Sequence, residues 1–166
     1  LLAVAALVVF VDQLSKYLVM AWLEEGQSRA IVPWLAPVFH ITPVTNTGVA
    51  FGMFPGAGRV FAIVPAIVAM AILIYGWQLP DEQWLMRMVL GFPLGGATGN
   101  LVDRLRQGFV IDFIDLSFWP MRDWPICNLA DGAIVAGVGM LALLILWEER
   151  HVRDERQMVK GSSGGN

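Results

Sequence analysis

Four apolar stretches, residues 1–23, 60–77, 84–105 and 129–147, take up about half of the chain and leave it few ways to fold. A bilayer core of roughly 30 Å asks for about 20 such residues per helix. Within lipid the backbone has to satisfy its own hydrogen bonds, so only helices and closed barrels span it. Stretches this long and this uniformly apolar point to helices. Composition agrees: 57% of the 166 residues are hydrophobic and 15% charged, with a mean hydropathy of +0.62, against about half and a quarter in ordinary soluble domains. The expected fold is an all-α integral membrane protein of four transmembrane helices, with a small extracytoplasmic β/loop subdomain. Residues 1–148 are expected to form one domain, and residues 149–166 a charged, disordered cytoplasmic tail. Leu1 has no Met or basic leader before it, so the chain is expected to lack its true N-terminus. The first apolar run continues to Leu23 without a small-residue cleavage site and reads as a span, not a removable signal.

The spans differ in what interrupts them. The first carries Asp12, Gln13, Ser15 and Lys16, and Asp12 and Lys16 stand four apart, acid first, the favourable order for a helical ion pair. The second is uncharged and contains Pro65. The third holds Gly91, Gly95, Gly96 and Gly99, which suits close packing against neighbouring helices. The fourth is broken only by Asp131 near its start. In the long first loop, residues 36–45 have strand-forming side chains, although Pro37 and Pro43 argue against regular pairing. Residues 52–58 read as turns, and residues 109–116 of the second long loop read as extended.

Four spans connected in series place both long loops at one membrane face and the 78–83 turn with both termini at the other. The unusual polar residues then gather at the loop face. Asn46 lies in the first loop. Asn100, Asp103 and Arg104 end the third span on one helical face. Asp112 follows in the second loop, Asn128 and Asp131 open the fourth span, and Asp12 and Lys16 lean the same way. Arg150, Arg153, Arg156 and Lys160 favour a cytoplasmic tail and an extracytoplasmic site, although Arg29, Arg59, Arg104, Arg106 and Arg122 lie on the opposite side.

Several chemistries fall away. A net charge of -3 and the absence of a basic stripe exclude nucleic acid. One cysteine and two distant histidines give no disulfide, no zinc pattern and no metal or other cofactor. Cys127 reads as a small packing residue, since His151 lies past the far end of a helix roughly 30 Å long. The carboxylates remain. Asp112 is flanked by Val110, Ile111, Phe113 and Ile114, and Asp131 sits one turn into a membrane helix. Two carboxylates sharing a low-dielectric site cannot both ionise easily. Such a pair can activate water with one member and protonate a leaving amine with the other. Asp131 is also placed to cap its helix beside Asn128, and Asp112 to pair with an arginine. Asp103 and Arg104 read as a brace for the loop, while Asp12 and Lys16 fit either a buried brace or a substrate contact.

Five motifs occur in order across the spans: Asp12-Gln-Leu-Ser-Lys16, Asn46-Thr-Gly48-Val-Ala-Phe51, Gly99-Asn-Leu-Val-Asp-Arg104, Val110-Ile-Asp-Phe113 and Asn128-Leu-Ala-Asp131. With them the chain resembles the lipoprotein signal peptidases, the bacterial type II signal peptidases. The resemblance implies an aspartic endopeptidase with Asp112 and Asp131 as its catalytic pair. It implies cleavage of diacylglyceryl-modified prolipoproteins on the amino side of the lipidated cysteine, at the outer face of the bacterial inner membrane. It further implies that Asn46, Asn100, Arg104 and Asn128 hold the substrate or support the pair, and that globomycin-type cyclic peptides block the site; Gly48, Asp103, Asp12 and Lys16 are expected beside them as substrate-binding or supporting residues. Membrane lipid is the surrounding partner.

The chain departs from that family at Cys127, where phenylalanine is usual, so its cleft is expected to differ in shape; Gly132 is a smaller variation. Trp34 and Phe39 are candidates for a lid on the membrane surface. A transporter would spread polar groups through both halves of the membrane, and the second span has none. A glycine-seamed scaffold would leave Asp112 unexplained. The presenilin-type intramembrane proteases carry a Gly-x-Gly-Asp signature that is absent here.

Overall fold

Each apolar stretch becomes a helix, and the two loops meet as a sheet. The computed structural model describes residues 1–48, 60–118 and 124–163. The helices are α1 (Leu2–Trp22), α2 (Ile63–Gln78), α3 (Trp84–Gln107) and α4 (Leu129–Ser163), and the strands are β1 (Phe39–Asn46) and β2 (Val110–Leu116). The end of the Asn46–Phe51 motif, the 52–58 turns, Arg59 and Arg122 lie outside the described residues.

Three segments, Leu2–Trp22, Val60–Gln78 and Leu129–Arg150, are long and apolar enough to cross a membrane. Their outer faces expose Phe10, Tyr17, Ile67, Trp77 and Leu143, which suits hydrocarbon rather than water. α3 is different. It packs against all three other helices and buries Leu90, Leu94, Ala97, Gly99, Asn100 and Asp103.

Glycine spacing explains the closeness. Gly91, Gly95 and Gly99 recur every four residues and face Val4, Val8 and Asp12 of α1, which recur likewise; a Cβ on Gly95 would lie 2.6 Å from Val8 Cβ. Gly96 points the other way, against the Ala130 carbonyl and Ile134 of α4, and Gly137 of α4 receives Pro93. Small residues at such seams let backbones approach, and van der Waals contact then replaces the hydrophobic drive that lipid does not supply.

The elements differ from expectation in three places. Pro65 sits in the first turn of α2, where its missing N–H costs no helical bond; the interior proline is Pro93 of α3. The strand expected over residues 36–45 runs over Phe39–Asn46, after a 3-10 turn at Pro33–Leu35. The segment after Glu148, expected to be disordered, continues α4 as helix to Ser163, since extending an existing helix avoids the cost of nucleation.

β1 and β2 pair antiparallel from Phe39 opposite Leu116 to Asn46 opposite Val110, with an irregularity between Ile41 and Val44. Pro43 lies in that irregularity, where an absent N–H breaks no ladder bond. Ile41 and Phe113 form a small core with Leu23, flanked by Val19 and Phe39, so the sheet is seated on the end of α1. Phe39 thus packs against the sheet core, whereas Trp34 is 78% exposed. Gly108, at φ +83°, caps α3 by donating its N–H to the Arg104 carbonyl at 3.1 Å and turns the chain into β2 two residues later.

Candidate active site

Backbone pairing brings the second loop back onto the sheet. Cys127 N–H donates to the Ile114 carbonyl at 3.1 Å, and the N–H groups of Ile114 and Phe113 donate to the Cys127 carbonyl at 2.8 and 2.9 Å. Asn128 therefore arrives beside Asp112. α4 starts at the next residue and carries Asp131 one turn further on.

A chain of side-chain amides joins the two carboxylates. Asn128 Nδ2 donates to Asp112 Oδ1 at 2.6 Å and to Asn100 Oδ1 at 3.1 Å. Asn100 Nδ2 donates to Asp131 Oδ1 at 2.8 Å. Asn46 Nδ2 donates to Asp112 Oδ2 at 2.9 Å, and Asn46 Oδ1 accepts the Gly48 N–H at 3.1 Å. Arg104 Nη2 donates to the Gly48 carbonyl at 3.1 Å. Arg104 Nε is buried with no hydrogen-bond partner among the described residues.

Electrostatics separate Asp112 from an ordinary loop acid. Burial pushes its carboxyl up to about 6; Asp131 pushes the same way, while the Asn46 and Asn128 hydrogen bonds and the Lys16 charge pull it down. A carboxyl in this range gains and loses a proton close to neutral pH. The Cys127 thiol is pushed up to about 11, chiefly by burial and then by Asp131 and Asp112. It is a poor thiolate source, consistent with a packing role.

Two clefts meet at these groups. One of about 500 Å³ is lined by Asn46, Asp112, Trp124, Cys127 and Val135. The other, of about 360 Å³, is lined by Phe61 in the 3-10 turn before α2 and by Val68, Ala97 and Ile134 on α2, α3 and α4. Asn100, Arg104 and Asp131 border both. The walls are apolar and the floor is polar, which fits a ligand with a lipid part and a peptide part.

Residues 4–147 match the model of a family described as Signal peptidase (SPase) II. The chain is 43% identical over 147 residues to the lipoprotein signal peptidase of Moorella thermoacetica, covering 89% of this chain and 90% of that protein. It is 41% identical over 143 residues to that of Desulfitobacterium hafniense strain DCB-2, covering 86% and 90%. The chain belongs to the signal peptidase II family. A solved bacterial membrane enzyme, determined by the in meso method at 2.3 Å, superposes with a TM-score of 0.77 at 30% identity, covering 89% of this chain and 87% of that one. As a signal peptidase II, the protein is a multi-pass membrane enzyme and an aspartic peptidase.

Asp112, Asp131, Asn46, Gly48, Asn100, Arg104 and Asn128 gather in one network in this signal peptidase II. Asp12, Lys16 and Asp103 lie beside it, in a buried ion cluster. Lys16 Nζ is 2.8 Å from Asp12 Oδ2 and 2.7 Å from Asp103 Oδ2, with all three side chains nearly inaccessible. Asp12 and Lys16 therefore pair with each other and with Asp103, and neither borders the two clefts. Asp103 engages Lys16 rather than Arg104, and Asp103 Oδ2 accepts the Ile111 N–H at 3.5 Å. Sequence reasoning missed Gln13, whose Nε2 donates to Asp103 Oδ1 at 2.8 Å, Asp12 Oδ2 at 3.2 Å and the Gly99 carbonyl at 3.3 Å. Its place beside Asp12 in an apolar span was the available signal.

Proposed function

We propose that Asp112 and Asp131 are the catalytic pair with which this signal peptidase II cleaves diacylglyceryl-modified prolipoproteins on the amino side of the lipidated cysteine. The amide chain joining the two carboxylates through Asn128 and Asn100 at the junction of the clefts carries this reading. One carboxylate takes a proton from a water molecule, whose oxygen adds to the scissile carbonyl. The other, protonated, supports the carbonyl oxygen as charge develops there. Collapse of the tetrahedral intermediate breaks the C–N bond, and a proton passes to the leaving amine of the cysteine. Arg104, with an unpaired Nε, is placed to donate to a substrate carbonyl.

The apolar cleft walls suit the diacylglyceryl group and the core of the signal peptide. Glycine-seamed α3 serves as the fourth membrane crossing, hidden from lipid by its neighbours. The site lies near the extracytoplasmic face of the bacterial cell membrane, with both termini cytoplasmic. A globomycin-type cyclic peptide would compete for the same clefts.

The test is Asp112→Asn and Asp131→Asn, each supplied with lipidated prolipoprotein. Either change is expected to accumulate uncleaved, lipid-modified precursor while the protein still inserts. Normal processing by either variant refutes the pair.

A further inference from the structure

Asp12 and Lys16 are buried in α1, and neither borders the clefts that meet at Asp131. Their hydrogen bonds nevertheless converge on that residue by two routes. Asp12 Oδ1 accepts the Ala130 N–H at 3.0 Å. Ala130 lies in the first turn of α4, where N–H groups have no helical partner, and it immediately precedes Asp131. The second route runs through Asn100. Lys16 Nζ lies 3.3 Å from Asn100 Oδ1, and an ammonium can only donate. With Asn128 Nδ2 donating to the same oxygen, the reversed amide would set NH₂ against two donors. The Asn100 NH₂ is thereby held toward Asp131 Oδ1.

We propose that Asp12 and Lys16 are positioning residues for Asp131, fixing its backbone through Ala130 and its carboxylate through Asn100. This rests on the catalytic pair assigned above. Gly99 is the third part of the device: a Cβ there would lie 2.7 Å from Asp12 Oδ2, so any larger residue must displace the α1 carboxylate. The Lys16 charge also acts on Asp112, holding its carboxyl below the value that burial alone would give.

Two variants test the proposal in the full chain, purified in detergent and assayed on a synthetic diacylglyceryl lipopeptide. Lys16→Met removes the Asn100 contact. Gly99→Ala displaces Asp12 while leaving every polar group present. In both, kcat is expected to fall roughly 10- to 100-fold, the size of effect that misplacing a reacting group produces, with KM within about twofold. In Lys16→Met the limb of the pH–rate profile that follows Asp112 should move to higher pH, because the positive charge that lowers that carboxyl is gone. A lowered unfolding temperature with unchanged kcat and pH profile would show a brace only and overturn the proposal. If Lys16→Met does not fold, Gly99→Ala decides by the same kcat criterion. Asp131→Asn run in parallel separates the two ideas. If it cleaves normally, the catalytic pair itself fails. If it is inactive while Lys16→Met and Gly99→Ala keep wild-type kcat, only the positioning fails.

Discussion

Asn128 and Asp131 cap each other across the first turn of α4: Asn128 Oδ1 accepts the Asp131 N–H at 3.0 Å, and Asp131 Oδ2 accepts the Asn128 N–H at 3.3 Å. This is a capping box in which both side chains also belong to the candidate active-site network. Asp131 Oδ1 remains for Asn100, and Asn128 Nδ2 for Asp112 and Asn100. Helix initiation and carboxylate alignment therefore use the same two residues.

Two substitutions at Asn128 should separate those jobs. Asn128→Asp keeps a capping oxygen but removes the NH₂ that bridges Asp112 and Asn100. It should lose most activity, keep the cap, and lose stability as pH rises through the carboxylate range, because a further carboxyl group then faces Asp112 in a buried site. Asn128→Ala should lose activity and, in addition, about 1 kcal/mol from the lost cap. Unfolding in mixed detergent and lipopeptide cleavage, measured side by side, check both; an active Asn128→Asp enzyme contradicts the bridge.

Asp112 imposes a pH dependence on stability. Its carboxyl rises from 3.8 to about 6 in the folded protein, so the folded state binds the proton more tightly than the unfolded one. Stability from this group is complete below about 3.8, falls as pH rises toward about 6, and stays lower above. The full swing is on the order of 2–3 kcal/mol. Asp112→Asn should therefore gain stability relative to wild type between pH 4 and 6 and hold that gain at pH 7. A pH-independent difference between the two proteins would refute the assignment.

The glycine seam predicts overpacking. Gly95→Ala places a methyl group 2.6 Å from Val8 Cβ and 2.8 Å from the Ala5 carbonyl, so α1 must shift away from α3. The expected loss is about 1–3 kcal/mol. Gly139→Ala, in the same bundle, meets nothing within 4 Å and should be neutral or slightly stabilising. Paired unfolding curves for the two variants check the contrast.

Gly108 offers a backbone test. At φ +83° it lies in the left-handed region, so Gly108→Ala should cost about 1 kcal/mol. The strain falls at the junction of α3 and β2, four residues before Asp112. Activity should drop more than stability does, read as kcat on the lipopeptide against the unfolding midpoint.

Much of this was legible in the sequence. The four helices follow from apolar length, and the Asp12–Lys16 pair from four-residue spacing. Serial connection of the helices already drew the polar groups to one end. What sequence could not supply was direction. Asp103 stands beside Arg104 in the chain, yet it faces Lys16, because adjacent helical residues point about 100° apart. Asn128 and Asp131 could be read as cap or as site; they cap α4 and also bond to Asn100 and Asp112, an outcome that depends on the Cys127–Ile114 backbone pairing. Helical continuation past Glu148 was hidden because polar composition reports poor burial, whereas helix extension needs only a preceding turn.

The burial of α3 bears on how the enzyme is made. Asn100 and Asp103 are costly to expose to lipid, and their side-chain partners come from other segments: Lys16 from α1, Asn128 and Asp131 from α4. α1 is synthesised before α3 and can wait in the bilayer, with Lys16 and Asp12 already neutralising one another across one helical turn. With α3 as the proposed fourth crossing, it enters against a standing partner, and α4 closes the assembly last. The order of the genetic message is thus also a workable order of insertion, and a chain halted before α4 would hold α3 with its polar groups short of the partners that α4 supplies.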